Sequence, residues 1–469
     1  MPSPVAISHS TPLRRHALAE MIARAGLPAD WARGGARIVY GREDGAAIAL
    51  ADKGLFERRD RWRAEAKRVL ARVNEAESPQ ALGTALFVRE TGGFSTPHDL
   101  PAVVHGLLHR WEEDLDAARD EHGRWPLGAS LLKEGRLVER PAADWICRAF
   151  GWAVRQAFHL EAPEPARWNG KPWAVALTFD IDSAGMYAHG AWPRTLRRLQ
   201  VQRGLGAALP YAAEVPLVLA GRRRDPHDNL DAVADRLESL GACATFFAQA
   251  VRVSGHDTYA LDRAPGLVRA LRRLNDRGHE IGLHGSYATA DEGPRFLARQ
   301  RRILLRHTGI AATAHRAHYL RTTTPRDAAL WSRAGIRLDA TPGFAEREGF
   351  RLGTAFPVMV PRAETGTGQS LVSVPLHAMD VTLRYHRQLA PAEAWRAALN
   401  VLRETRRVGG LAVLLWHPHN LDARLWRGWE EMPFELLRWA LEHDAATGTL
   451  TDLAKAGLAE ASRRINKNS

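Results

Sequence analysis

The stretch WAVALTFDIDS, residues 173–183, is an apolar run that ends in two carboxylates, Asp180 and Asp182, with Thr178 and Ser183 beside them. Side chains alternate along a strand with a period of two, so Asp180 and Asp182 share one side while Ile181 points the other way, into packing. A buried strand that finishes in two acids offers them to whatever lies beyond its C-terminal end.

The residues that follow repeat one structural pattern. DNLDAVADRLESLG (228–241) sets Leu230, Val233, Leu237 and Leu240 on one helical face and closes on Gly241, and the strand CATFFAQA comes next. APGLVRALRRLNDRG (264–278) then leads into HEIGLH, PRDAALWSRAG (325–335) into IRLDAT, and PAEAWRAALNVLRETRRVGG (391–410) into LAVLLWH. Helices alternating with short apolar strands predict a parallel sheet covered by helices, in a (β/α) barrel or a doubly wound sheet. In barrels the C-terminal strand ends carry the active site. Here ALTFDID, EIGLH, RLDAT and VLLWH bring Asp180, Asp182, His284, Asp339 and His417 toward one rim.

The first half is a different kind of sequence. Helical periodicity in LRRHALAEMIARAG and ERRDRWRAEAKRVLARVNEA, with a strand in ARIVYG, predicts mixed α and β without evident chemistry. HLEAPEPARWNGKPWA (159–174) separates the halves, giving an expected companion domain at 1–165 and a catalytic domain at 170–460.

Composition narrows the class. The chain has 469 residues, 45% of them hydrophobic, and its longest apolar run, GLAVLLW (410–416), is far short of the roughly 20 residues that span a bilayer. No apolar core followed by a cleavage site stands near the N-terminus, and the two cysteines, Cys147 and Cys243, cannot build a disulfide framework. The expected location is the cytoplasm. The net charge of +12 comes mainly from scattered arginines, with no basic stripe or nucleic-acid-binding motif, so no nucleic acid partner is expected.

Carboxylates and imidazoles gathered without thiolates suit a divalent ion such as Zn²⁺ with a position left open for water. Such an ion generates a nucleophile near neutral pH, while a separate carboxylate and an imidazole handle protons. That is machinery for metal-assisted hydrolysis.

In order and type these motifs resemble the polysaccharide deacetylases of carbohydrate esterase family 4, the NodB-homology domain, over residues 172 to 445. The resemblance implies a deformed (β/α) barrel and a metal-dependent deacetylase acting on an acetamido sugar. LTFDID is similar to the first family motif, which makes Asp180 the catalytic base and Asp182 a metal ligand; GHEIGLHGS is similar to the second, with His284 a ligand. HRAHYLR (315–321) stands where the family has its arginine motif, so Arg316 would hold the catalytic carboxylate or the substrate. LWSRAGIRLDAT resembles the fourth motif through Trp331 and Asp339, and LLWHPHN the last, where His417 would be the general acid.

One ligand of the usual pattern is missing, because position 288 is Ala in HGSYAT. A divergent bacterial subgroup with H-x-S-Y here and R-x-H-Y-L-R downstream is the nearer likeness. In that subgroup His318 would replace the lost ligand, or else bind substrate or pack. The first half is similar to the segment preceding the barrel in this subgroup, through HRWEED, DEHGRW and RPAADWI. Tyr319 and Trp331, with His377 and Asp380 in VPLHAMDVTLRYH, are the expected substrate contacts, a structural role being the alternative for His377 and Asp380, and GFAEREGFRLGTAFPV (343–358) reads as a long functional loop. The implied substrate is a bacterial surface glycan or its nucleotide- or lipid-linked precursor. Hydrolysis of another non-peptide C–N bond and an inactive glycan-binding homologue are the alternatives.

Overall fold

The computed structural model describes residues 5–7, 11–27, 38–41, 47–161, 168–183, 185–187, 192–322, 327–360 and 371–466. The first half holds a five-stranded sheet of β1 (Val5–Ile7), β2 (Ile38–Tyr40), β3 (Ile48–Leu50), β4 (Val88–Glu90) and β5 (Gly93–Thr96), in the order β1-β2-β3-β5-β4. It is parallel except for the β4–β5 hairpin. The helices Pro12–Arg24, Arg59–Glu75, Leu100–Leu108 and Ala142–Phe158 accompany it.

The second half is built on β6 (Trp173–Ile181), β7 (Thr245–Gln249), β8 (Glu280–Gly285), β9 (Ala314–Ala317), β10 (Leu338–Asp339), β11 (Val358–Val360), β12 (Leu371–Ser373), β13 (Ala378–Met379), β14 (Leu411–Trp416) and β15 (Ala445–Thr447). Parallel pairing runs β10-β9-β8-β7-β6-β14. The stretch 371–379 closes the ring: its first part lies parallel to β10, with Val374 N–H donating to Asp339 O, and its second part parallel to β14, with His377 N–H donating to Val413 O. The expected deformed (β/α) barrel is therefore the architecture, and the doubly wound alternative is not. β11 adds an antiparallel strand outside the ring, and β15 pairs with the first residues of β6.

Strand parity sorts the side chains. On β6, Trp173, Val175, Leu177, Phe179 and Ile181 pack in one apolar cluster with Leu230, Val233 and Leu237 of the helix Leu230–Ser239 and with Leu271 and Leu274 of the helix Pro265–Asp276. Ala174 and Ala176 belong to a second cluster with Phe247, Ala314, Leu338, Val413 and Leu415 from other strands, which is the barrel interior. That interior is continuous with the core of the first half, including Met21, Trp62, Val104 and Phe150. The two halves share one apolar core.

The seam between the halves is long. Asp144 accepts from Thr354 Oγ1 and Ala355 N (2.7 Å each), Ala143 N donates to Gly353 O (2.8 Å), Phe350 N donates to Val138 O (2.8 Å), and Arg351 pairs with Glu113 (2.9 Å). Residues 343–358, expected to be a functional loop, are spent here. A segment with no helix or strand period can still be buried when its polar backbone finds partners elsewhere in the chain.

Candidate functional site

Even-numbered residues of β6 face the barrel interior, so the inward row Ala174, Ala176, Thr178 continues into Asp180 and Asp182. The same parity runs Gly282 to His284 on β8, Ala314 to Arg316 and His318 at β9, and Val413 and Leu415 to His417 after β14. Four strand ends thus deliver their polar residues to one place.

Asp182, His284 and His318 each direct a ligand atom into a common space, all within 4.8 Å of one another. His284 Nε2 lies 3.3 Å from Asp182 Oδ1, and His318 Nε2 3.7 Å from Asp182 Oδ2. Donors set about 2.0–2.2 Å from a tetrahedral ion stand roughly 3.3–3.6 Å from one another. Asp182 Oδ1 is also buried without a hydrogen bond. One carboxylate and two imidazoles, with an oxygen left unsatisfied, fit a divalent ion of the zinc kind.

The two imidazoles are oriented from behind. His284 Nδ1 lies 2.9 Å from the Arg316 carbonyl, and His318 Nδ1 lies 3.2 Å from Asp257 Oδ1 and 3.0 Å from the Gln249 amide. Asp257 also accepts from Tyr287 N and from Ser254 N and Oγ. Such partners fix ring orientation at metal sites.

Arg316, fully buried, donates to Asp180 Oδ1 (2.8 Å), Thr178 Oγ1 (3.0 Å) and the Ala340 carbonyl (3.0 Å), and its guanidinium lies over the Phe247 ring. Asp180 is thereby held by one oxygen, and its other, Oδ2, sits 3.7 Å from His284 Nε2. On the far side His417 Nδ1 lies 2.7 Å from Asp380 Oδ1, while its Nε2 points inward, 3.4 Å from Asp182 Oδ2. Asp380 further accepts from His417 N and Asn420 Nδ2.

Charge follows from this geometry. Burial pushes the Asp182 carboxyl up, but His318, His284 and His417 hold it well below the usual carboxylate range. Burial acts likewise on Asp257, yet its contacts with His318, Tyr287 N and Ser254 take it down to about 2. Burial disfavours a charged His417, but Asp380, Asp182 and Asp180 raise it to about 10; Asp182 and Asp257 raise His318 to about 9 in the same way. His419, whose ring lies 5.5 Å from that of His417, is driven down to about 3 by burial beside His227 and His417.

Three expected site residues sit away from the ligand cluster, and a fourth, Asp380, enters it behind His417. Leu338 faces the interior, so Asp339 points outward, where its Oδ1 accepts from Thr341 Oγ1 (2.5 Å) and lies 3.3 Å from His315 Nδ1. Trp331, 1% exposed, packs against the His315 ring in the outer layer and presents no face to a substrate. His377 is buried in the seam, its ring bound to Val413 N and Thr354 O. Asp380 is fully buried and touches His417 in place of a substrate.

Tyr319 does lie at the rim, 38% exposed, with a left-handed φ of 61°. Its carbonyl accepts from Arg124 of the first half (3.1 Å), and its ring joins those of His122, His256 and Tyr287. Two features escaped the sequence reading: Asp257 in the loop after β7, and the reach of His122 and Arg124 to the rim. Neither lies in a motif whose spacing links it to residue 318 or 319.

A family model described as a family of unknown function (DUF7033) matches residues 29–159. Among curated proteins there is no match. Among solved structures, the chain is similar to a protein from Mycobacterium smegmatis named as a polysaccharide deacetylase (21% identity, TM-score 0.42, covering 62% of this chain and 92% of that one). It is also similar to the peptidoglycan deacetylase PdaC from Bacillus subtilis (12% identity, TM-score 0.30, 63% and 96%). A further similar structure is a pseudoenzyme of carbohydrate esterase family 4 from Bacillus anthracis (13% identity, TM-score 0.28, 60% and 65%).

Proposed function

We propose that the chain is a metal-dependent hydrolase that removes an N-acetyl group from an amino sugar. The observation that carries this reading is the placement of three converging ligand groups, Asp182, His284 and His318, between an Arg316-held carboxylate, Asp180, and an Asp380-held imidazole, His417. A divalent ion bound by the three would supply Lewis-acid polarisation of the acetyl carbonyl and of the attacking water.

The chain's own residues move the protons. Arg316 occupies Oδ1 of Asp180 and leaves Oδ2 to take a proton from the attacking water. Asp380 fixes His417 by Nδ1, so that the Nε2 proton faces the site and passes to the departing amide nitrogen as the C–N bond breaks. Water and the acetamide become acetate and a free amine. Tyr319 and Tyr287 flank the opening and offer rings for a sugar to lie against.

We further propose a phosphorylated substrate, a nucleotide- or lipid-linked glycan precursor handled in the cytoplasm, which would give the excess arginines a use. Among the described residues no helix is long and apolar enough to cross a membrane. The test is acetate release from free, nucleotide-linked and lipid-linked N-acetylhexosamines by the metal-loaded protein. Release from at least one of these is expected, and none from any of them overturns the reading.

A further inference from the structure

The first half of the chain carries a cluster of ionisable side chains that the barrel chemistry does not use. His16 and Glu20 stand four residues apart on the helix Pro12–Arg24, and His105 and His109 four apart at the end of the helix Leu100–Leu108. Residues spaced by four share one helical face. These two helices pack together, so the two faces meet.

Each of the four offers a ligand atom within 4.8 Å of the other three. From Glu20 Oε2 it is 3.1 Å to His105 Nδ1 and 3.4 Å to His109 Nε2, and from Glu20 Oε1 it is 3.7 Å to His16 Nε2. Imidazolium–carboxylate hydrogen bonds run about 2.7–2.9 Å, whereas neighbouring donors on a tetrahedral ion at about 2.0–2.2 Å stand roughly 3.3–3.6 Å apart. The contacts to Oε2, 3.1 and 3.4 Å, lie between hydrogen-bond length and the second spacing, and His16, 3.7 Å from Oε1, stands just beyond that spacing.

Burial points the same way. His105 is fully buried and Glu20 is 7% exposed, yet Glu20 Oε1 has no hydrogen-bond partner. Unsatisfied polar atoms at such depth are costly. The nearest fixed charge, Arg24, lies 3.9 Å from Glu20 Oε1 but is engaged by the Glu20 and Pro357 carbonyls and lies 3.8 Å from Asp144. Phe56 and Trp111 wall the His105 ring.

We propose that His16, Glu20, His105 and His109 form a structural metal site of the zinc class. Three imidazoles and one carboxylate complete a four-coordinate shell with no position left open, which is the mark of a structural site and not of a catalytic one. The ion would pin the helix Pro12–Arg24 to the helix Leu100–Leu108, in the half whose core is continuous with the barrel interior. It shares no ligand with Asp182, His284 and His318, so it stands or falls independently of the hydrolase reading.

The test uses the full chain carrying Asp182→Asn and His284→Gln, which dismantles the barrel ligands. After equilibration with Zn²⁺ and removal of free metal, elemental analysis should find one zinc per chain. The Co²⁺-loaded protein should show the intense visible absorption of four-coordinate cobalt, and adding His105→Gln and His109→Gln should abolish both signals. Should those last variants fail to fold, anomalous scattering at the zinc edge from crystals of the unaltered chain locates the ion directly. A peak between the two helices supports the site. No zinc bound by the folded double variant, or zinc retained after both histidines are replaced, overturns it.

Discussion

Asp257 Oδ1 lies 3.2 Å from Nδ1 of His318, whose opposite ring nitrogen faces Asp182. Asp257 thus does for His318 what the Arg316 carbonyl does for His284. Removing such a partner costs about 10–100-fold in metal affinity. Asp257→Asn should weaken metal binding by that amount, with activity recovering when the metal concentration is raised. Isothermal titration of the apoprotein with Zn²⁺ reads the first effect, and an unchanged affinity would remove Asp257 from the site.

Asp380 and His417 act through one hydrogen bond of 2.7 Å, and should therefore be non-additive. Asp380→Asn and His417→Gln are each expected to lower kcat by on the order of 10²-fold or more, with little change in KM. The double variant should be no worse than His417→Gln alone. Multiplicative losses would show that Asp380 and His417 act independently.

Asp144, at the seam, is fully buried, and burial raises its carboxyl to about 6 despite Arg24 and the donors from Ala355 and Thr354. The folded state therefore holds this proton more tightly than the unfolded chain, in which an Asp titrates near about 3.9. Its contribution to stability is full below about pH 4 and is lost as pH rises through about 6. Chemical denaturation of wild type and Asp144→Asn across that range should give a stability difference that shifts by about 2–3 kcal/mol against wild type. A flat difference would mean that Asp144 stays ionised in the fold.

The apolar interior of the barrel is continuous with the core of the first half. A chain shortened to begin at residue 168 would lose the first half's share of the common apolar core and leave the seam residues 343–358 without Asp144, Glu113 and Val138. Such a fragment is expected to aggregate or lose cooperative unfolding. A monodisperse fragment that melts cooperatively would show that the barrel folds alone.

The sequence made the barrel legible wherever one strand carried its own signal. WAVALTFDI and LAVLLW are long enough to be buried on both faces, and their inward row ends in Asp180, Asp182 and His417. Asp339 misled because β10 is only two residues long, too short for its parity to be read before Leu338 is seen facing inward. His377 and residues 343–358 misled for another reason. The partners of His377, Val413 N and Thr354 O, come from a distant strand and loop of the same half, and those of 343–358, among them Asp144 and Val138, from the docking of the two halves; no local spacing encodes either. The group of His16, Glu20, His105 and His109 was invisible for the same cause. Each pair alone reads as an ordinary helix face, and the pairs lie 85 or more positions apart.

In the proposed function Asp182, His284 and His318 hold the ion on which hydrolysis depends, with His318 standing in where Ala288 offers no ligand. A crystal structure of the Zn²⁺-loaded chain, with anomalous differences recorded at the zinc edge, measures this most directly. The expected result is a peak about 2.0–2.2 Å from Asp182, His284 Nε2 and His318 Nε2, facing Asp180 Oδ2 and His417 Nε2. Contradiction would be a loaded crystal with no anomalous peak at those three residues, or with His318 turned away from the ion.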